Sequence, residues 1–407
     1  MPKEIIVLLG LGMQGKAALY DLVKNRGSQI IVADNSPGLE GDLRRYPVDR
    51  VSSRRIDATD EAELASLMRH ADVVIDSLPG AFALPIQKLA AKLGVSLVSS
   101  MYSINPGEQD AEKIRTLQEE LHQVDRKAKE KGAIILTEFG MDPGIDLVLG
   151  AQALSEIDEV QEFYSYGAGF PALDAANNPI KYKFSWSVIG VMRSYLRPAR
   201  LISKGKVVDI EAKEMFAQEN KHILDLKEIG APLECYPNGN SVKYAELFGL
   251  RETVREMARY TCRWPGHGAF WEMMAKGGFL DEKPIRVRDM SVSPVEFTAS
   301  LLGSQQQFHY AKDEQDIALI RVDVRGLVRG KKTRVVYQLI DRRDLETGFT
   351  AMQRTVGFTM SLGAQLILKG RLKKPGLVSP IEVPFGLVVR GLKKHGMQIS
   401  RQELSWE

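Results

Sequence analysis

Cysteine is nearly missing: the 407 residues hold two, Cys235 and Cys262, and neither sits in a paired motif. That usage excludes a disulfide-stapled secreted scaffold and points to a reducing cytoplasm. Long apolar runs are missing too. No stretch approaches the roughly 20 residues that span a bilayer, and the N-terminus lacks the apolar region and small-residue cleavage site of a signal peptide. Neither charge is in excess, 55 basic residues standing against 52 acidic for a net +3, so neither a nucleic-acid nor a membrane partner is implied. Short basic runs at 331–334 and 369–374 read as solvated faces. The six histidines are scattered, so no metal site is expected. Neither a G-x-S-x-G nucleophile elbow nor a Walker loop occurs. What is present, 44% hydrophobic and 26% charged residues, suits a soluble cytoplasmic protein of two or three domains with a sizeable core.

Residues 5–9 form a continuous apolar run, as in a strand covered on both faces. Helical periodicity follows at 16–25, and the alternation continues. Strands are expected at 30–33, 55–57, 73–77, 95–99 and 133–137, and helices at 61–69, 85–92 and 109–131. This rhythm predicts an α/β fold, a Rossmann doubly wound parallel sheet over 1–149. Beyond residue 150 the pattern becomes irregular, with strand-prone stretches at 162–166 and 317–324, the latter pairing with 333–340 across a turn within 326–332. An inserted α+β domain for substrate binding and dimerisation is expected over 150–349, and its open sheet makes a homodimer the expected assembly. Residues 350–370 turn helical, with small residues at Ala351, Ser361, Gly363 and Ala364 suited to close packing. The segment 350–407 is therefore expected to return to the Rossmann domain.

Gly10-Leu11-Gly12-Met13-Gln14-Gly15 follows the first strand and opens the first helix, and this placement makes the spacing informative. The first glycine permits the tight turn, the second lets the backbone approach a pyrophosphate, and the third lets helix pack on strand. The helix N-terminus then faces the phosphate charge. A glycine-rich turn serving geometry alone is the plainer alternative. Asp34 ends the second strand, where a carboxylate accepts from ribose hydroxyls and repels a 2′-phosphate, which favours NAD over NADP. Nearby Arg54 and Arg55 could still attract that phosphate. Asp57 at the third strand end, Ser77, Leu78 and Pro79 after the fourth, and Ser100 after the fifth complete the expected cofactor lining.

At Glu138-Phe139-Gly140-Met141-Asp142-Pro143-Gly144-Ile145-Asp146 the chain resembles the saccharopine dehydrogenase family. Further resemblances lie at Asn178-Pro179-Ile180-Lys181-Tyr182-Lys183-Phe184-Ser185-Trp186-Ser187, at Tyr236-Pro237-Asn238 and at Thr261-Cys262-Arg263-Trp264. Others are Phe349-Thr350-Ala351-Met352, Thr355-Val356-Gly357 and Pro375-Gly376-Leu377, so the likeness runs almost the whole length. It implies an NAD(P)-dependent oxidoreductase acting on the CH–NH or CH–NH2 group of a lysine-related amino acid. Within the family, the 178–187 segment is similar to the glutamate-forming saccharopine dehydrogenases. Arg197-Pro198-Ala199-Arg200, Gly205-Lys206-Val207-Val208 and Trp264-Pro265-Gly266-His267 are closer to the NAD-dependent lysine 6-dehydrogenases. Where the glutamate-forming enzymes carry an arginine after Tyr-Pro-Asn, this chain has Gly239, which weakens the case for a tricarboxylate substrate. A carboxynorspermidine-type reduction is a more distant reading in the same class. A non-catalytic NAD-binding sensor or scaffold is the reading from another class.

The resemblance places Asp142 and Tyr102 at the substrate. Asp142 could hold an ammonium or accept its proton through water, or simply begin a turn before Pro143. Tyr102 could donate to a carboxylate or relay a proton. Arg263 is the expected carboxylate anchor, with Trp186, Asn238 and Thr261 as further substrate contacts. His267, in the glycine-rich stretch 264–268, is a candidate base because an imidazole titrates near neutrality. A packed, structural histidine is its plainer alternative.

Overall fold

The computed structural model describes residues 4–25 and 27–406. The chain divides into two units, Met1–Val148 with Gln353–Gly396, and Leu149–Met352 with Met397–Glu407. In the first run of the chain β1 (Glu4–Leu9), α1 (Met13–Lys24), β2 (Ser28–Asp34), α2 (Leu39–Leu43), β3 (Val51–Arg55) and α3 (Glu61–Met68) are followed by β4 (Val73–Asp76), α4 (Ala83–Leu93), β5 (Ser96–Ser99), α5 (Ala111–Lys131) and β6 (Ile134–Leu136). Helix α6 (Ile145–Leu154) carries the chain across the boundary.

The second unit holds β7 (Glu159–Pro171), α7 (Val188–Ser194), β8 (Ala199–Ser203), β9 (Lys206–Ile210), β10 (His222–Leu224), β11 (Leu233–Pro237), α8 (Ser241–Leu247) and β12 (Glu256–Arg263). After these come α9 (His267–Lys276), β13 (Ile285–Val287), β14 (Met290–Val292), α10 (Pro294–Gly303), β15 (Asp316–Val328) and β16 (Lys331–Arg342). Helix α11 (Ala351–Gln353), α12 (Thr359–Leu368), β17 (Gly376–Val378), α13 (Phe385–Lys393) and β18 (Ile399–Ser405) close the chain.

The first unit is a seven-stranded sheet in the order β17-β6-β5-β4-β1-β2-β3, parallel throughout. Its central strands are apolar along their length because helices cover both faces. Val7, Leu9, Val74, Leu97 and Ile135 meet Leu89 of α4 and Val124 of α5 in one core. Asp60 and Asp110 cap α3 and α5 by accepting backbone N–H bonds, and left-handed Gly94 and Gly132 end α4 and α5. Strand order reverses between β1 and β4, so the loops after these two strands diverge and leave a crevice at the carboxyl edge. This is the doubly wound α/β sheet expected from the alternation.

Two details differ from expectation. The third strand lies at Val51–Arg55 and not at 55–57, because this edge strand is polar and carries little apolar signal. The segment 350–407 also divides: residues Gln353–Gly396 belong to the first unit, but Met397–Glu407 belong to the second. There β18 pairs antiparallel with β16.

The second unit is a nine-stranded mixed sheet, β10-β11-β12-β7-β15-β16-β18, with β8 beside β12 and β9 beside β8. The hairpin β15–β16 is longer than the 317–324 and 333–340 stretches suggest. The chain turns at Arg329 and Gly330, both at positive φ. Gly326 stays inside β15 at a register shift, where an added Cβ would lie 2.0 Å from Glu159 O. Asp316, at the start of β15, accepts the backbone N–H of Ala351 at 2.7 Å and Met352 at 3.2 Å, which anchors α11. Among the described residues no helix is long and apolar enough to cross a membrane.

Candidate active site

The loop between β1 and α1 separates into positions the fold needs and one it does not. Gly10 has φ +87°, and a Cβ there would lie 2.8 Å from Ser77 O. At Gly15 a Cβ would fall 2.1 Å from Gly10 O. Gly12, by contrast, has φ −67° and would meet nothing within 4 Å. It begins α1 with no side-chain cap and no acidic residue in the first turn, so the first N–H groups of the helix are left for an outside acceptor. Met13 is 42% exposed beside it, and the Oε1 of Gln14 is buried with no partner. Open backbone and an unanswered helix terminus fit a dinucleotide pyrophosphate.

The expected lining residues stand at or just beyond the neighbouring strand ends. Asp34 accepts the N–H of Leu11 at 2.6 Å and of Ser36 at 2.8 Å, so its carboxylate braces the glycine loop. Ser77 donates its N–H to Leu9 O at 2.8 Å, and Leu78 comes within 3.3 Å of where a Gly10 Cβ would stand. Pro79 is exposed beside them. Asp57 lies two residues beyond β3 as an exposed turn, accepting from Thr59 N–H and Oγ1. Those bonds hold its carboxyl below the ordinary range. Arg54 and Arg55 are exposed on β3, in register with Ala33 and Asp34.

Also in the first unit, Ser100 and half-buried Tyr102 follow β5. Ser100 packs on the loop after β6, its Cβ lying 2.9 Å from the position of a Gly140 Cβ. That loop is folded tightly on itself. Glu138 has φ +56°, the Asp142–Pro143 bond is cis, and a Gly144 Cβ would stand 2.2 Å from Gly140 O. Buried Asp146 accepts the Gly144 N–H at 2.8 Å. This fold leaves Asp142 half-buried at the carboxyl edge of the sheet.

In the second unit Arg263 is 6% exposed at the end of β12. Its Nη1 donates to Thr261 Oγ1 and Cys262 O, each at 2.8 Å. Its guanidinium lies 5.0 Å from the Tyr182 ring centroid and 6.0 Å from that of Tyr195. Its Nε is buried without a partner. Among the described residues no carboxylate pairs with this buried guanidinium, so its charge is chemically suited to receiving an anion. Trp186 packs against Gly190 of α7 and the same core. Asn238 is half-buried beyond β11, its N–H donating to Arg259 O at 2.8 Å.

The candidate base His267 is buried, as its plainer, structural alternative expects. It is 1% exposed, with Nε2 at 2.9 Å from Tyr195 OH and Nδ1 at 2.9 Å from Ile180 O. A carbonyl can only accept, so Nδ1 carries the proton and Nε2 accepts from the phenol. Burial, with help from the Arg263 charge, pushes its pKa down to about 3. Both ring nitrogens are occupied, and the ring packs against Tyr182, Tyr195 and Trp271.

Sequence reasoning missed three features. Cys235 and Cys262 are cross-strand neighbours on β11 and β12, with Sγ atoms 2.7 Å apart; both thiols are free and buried. Tyr182 and Tyr195 flank Arg263. Asp76 is a fully buried carboxylate at the end of β4, its only sequence signal being an acid closing an apolar run.

Two family models cover nearly the whole chain. The saccharopine dehydrogenase NADP binding domain matches residues 6–136, and the saccharopine dehydrogenase C-terminal domain matches residues 140–397. The chain belongs to the saccharopine dehydrogenase family. Within it, the saccharopine dehydrogenase [NADP(+), L-glutamate-forming] of Schizosaccharomyces pombe is 24% identical over 99% of each chain. The alpha-aminoadipic semialdehyde synthase of Arabidopsis thaliana is 24% identical over 82% of this chain and 37% of its own length. The chain therefore spans well under half of that synthase. The solved apo saccharopine dehydrogenase (L-Glu forming) of Saccharomyces cerevisiae aligns with a TM-score of 0.82 at 20% identity, covering 99% of this chain and 100% of that one. At that identity the likeness speaks to the family fold.

Proposed function

We propose that this chain is an NAD(P)-dependent oxidoreductase acting on the C–N bond of a lysine-related amino acid, in the manner of a saccharopine dehydrogenase. The observation that carries the reading is Gly12: the fold does not need it, yet it keeps the helix terminus clear for a pyrophosphate. The family models and the names of the relatives supply the chemical class. Bound there, the nicotinamide supplies hydride transfer with the substrate carbon. The protein's share is to orient the substrate and handle protons.

Gly10, Gly12, Met13, Gln14 and Gly15 would hold the pyrophosphate, with Ser77, Leu78, Pro79 and Ser100 lining the crevice and Asp57 beside the adenine end. Asp34, or Arg54 and Arg55 if they outweigh it, would select between NAD and NADP. Asp142 would attract a substrate ammonium or take its proton through water, and the phenol of Tyr102 would donate to substrate or relay that proton. Arg263, backed by Thr261, would bind a substrate carboxylate, with Trp186 and Asn238 as neighbouring contacts.

Gly239 favours a second substrate within the same class. It has φ +63°, and Arg197 Cδ would stand 3.7 Å from its Cβ. With no side chain of its own to offer a carboxylate, position 239 suits lysine better than the three carboxylates of saccharopine. Following reduced-nicotinamide absorbance with saccharopine and with lysine, each with NAD and with NADP at alkaline pH, tests both. Turnover of one supports the enzyme reading and names the substrate. Tight cofactor binding without turnover of either favours a sensor or scaffold.

A further inference from the structure

We propose that Asp76 is the positioning residue of the candidate active site: its carboxylate holds the loop after β4 through Leu78 and the loop after β5 through Ser99. The inference rests on the cofactor reading above and adds to it a residue that neither contacts a ligand nor belongs to the glycine motif.

Asp76 is 0% exposed at the carboxyl end of β4. Oδ1 accepts the Leu78 N–H at 3.0 Å, and Oδ2 accepts the Ser99 hydroxyl at 3.1 Å. Ser99 is itself fully buried, and its Oγ accepts the Met101 N–H at 3.2 Å. Its carbonyl accepts the N–H of Phe139, in the loop that carries Asp142, at 2.9 Å. One carboxylate thus ties the Ser77–Pro79 lining to the turn that delivers Ser100 and Tyr102, and one serine extends the tie toward Asp142.

Among the described residues no cation pairs with this charge. The strand beside it on one side, β1, has Glu4 as its titratable residue, at the opposite end; β5 on the other side has none. Helix α12, which packs on β4, carries no ionisable side chain. Helix α4 carries Lys88 and Lys92, which turn outward to Glu120 and Glu61. Burial pushes the Asp76 carboxyl up to about 6, while the bonds from Leu78 and Ser99 pull the other way. A neutral amide of the same shape would sit there at less cost, because a buried uncompensated charge is unfavourable. A group that destabilises the fold and organises two loops is what a stability–function trade-off looks like.

The sign follows from the raised pKa. The charge costs stability at pH 8, and that cost begins to fall as pH drops through about 6 and is gone once pH is below the ordinary carboxyl value of 3.8. Asp76→Asn should therefore have a Tm at pH 8 equal to or above wild type. Its Kd for NADPH or NADH, read by nucleotide fluorescence, should rise about tenfold, the equivalent of one lost charged hydrogen bond, and kcat should fall further. Ser99→Ala, which leaves the Leu78 bond in place, should lower kcat while holding the nucleotide Kd within about twofold. A lower Tm with unchanged Kd and kcat in Asp76→Asn would assign the residue to folding alone and overturn the proposal. Wild-type affinity and turnover in both variants would overturn it equally. Failure of the wild-type protein to bind either nucleotide would bring down the cofactor reading as well, a result distinguishable because it needs no variant.

Discussion

Replacing Gly12 with valine separates ligand binding from folding in a way the neighbouring glycines do not allow. Its φ of −67° and ψ of −169° form an extended conformation that valine adopts readily, and the added Cβ would meet nothing within 4 Å. Loss of a favoured N-cap glycine costs about 0.5–1 kcal/mol. Reduced freedom of the unfolded chain returns about 0.4–1 kcal/mol. The net change is near zero, so Tm should move by no more than about 3 °C.

Binding answers differently. Two methyl groups would stand where the pyrophosphate must approach the first N–H groups of α1. Losing two charge-assisted hydrogen bonds at about 1.5–3 kcal/mol each weakens affinity by roughly 10²- to 10⁴-fold. Gly15→Ala is the control: its Cβ would fall 2.1 Å from Gly10 O, so backbone must move, and Tm should drop by several degrees along with affinity. Thermal unfolding paired with fluorescence titration of NADH and NADPH reads both quantities on each variant. Unchanged nucleotide affinity in Gly12→Val, or a Tm loss matching that of Gly15→Ala, would refute the division of roles among the three glycines.

The remaining predictions concern the second unit and the ribose end. Arg263→Ala should raise the amino-acid KM at least tenfold, roughly one charged hydrogen bond, and leave nucleotide Kd alone; an unchanged KM would remove Arg263 as the carboxylate anchor. His267 is held neutral with its pKa near 3, below the unfolded value of about 6.5. Its contribution is present above pH 6.5 and is lost as pH falls toward 3, up to about 5 kcal/mol. His267→Gln should flatten the acid limb of Tm against pH, and an identical limb would disprove the assignment. Asp34→Ala should shift preference toward NADP, measured as the ratio of kcat/KM for the two cofactors; a constant ratio would mean its carboxylate serves only Leu11 and Ser36.

The first unit was legible because a parallel strand covered on both faces must be apolar along its length, and β1, β4 and β5 are. Legibility stopped where one neighbour was missing. β3 reads VSSRR and β18 reads ISRQELS; each pairs on one side only, so polar residues are tolerated and the periodic signal fades. Gly326 was read into a turn because glycine punctuates chains, whereas it is retained for the opposite reason. Glu159 O occupies the space of its Cβ, and the strand continues through it. The last eleven residues joined the second unit because β16 had a free edge, a pairing no local pattern announces.

The site shows the same limit in chemical form. Glycine spacing and strand-end acids are local, so a candidate cofactor crevice could be put forward from sequence. The environment of Arg263 and His267 is not local, since Tyr182 and Tyr195 come from other segments to surround both. One aromatic enclosure then acts on two cations with opposite results. Imidazole has an ordinary pKa close enough to neutrality to give up its proton under desolvation, and the neighbouring guanidinium charge pushes it further that way. Guanidinium cannot be discharged at any physiological pH. Of the two, Arg263 alone keeps its charge, and among the described residues no carboxylate pairs with it, so the enclosure that holds His267 neutral leaves Arg263 a buried cation on which the proposed anchoring role rests.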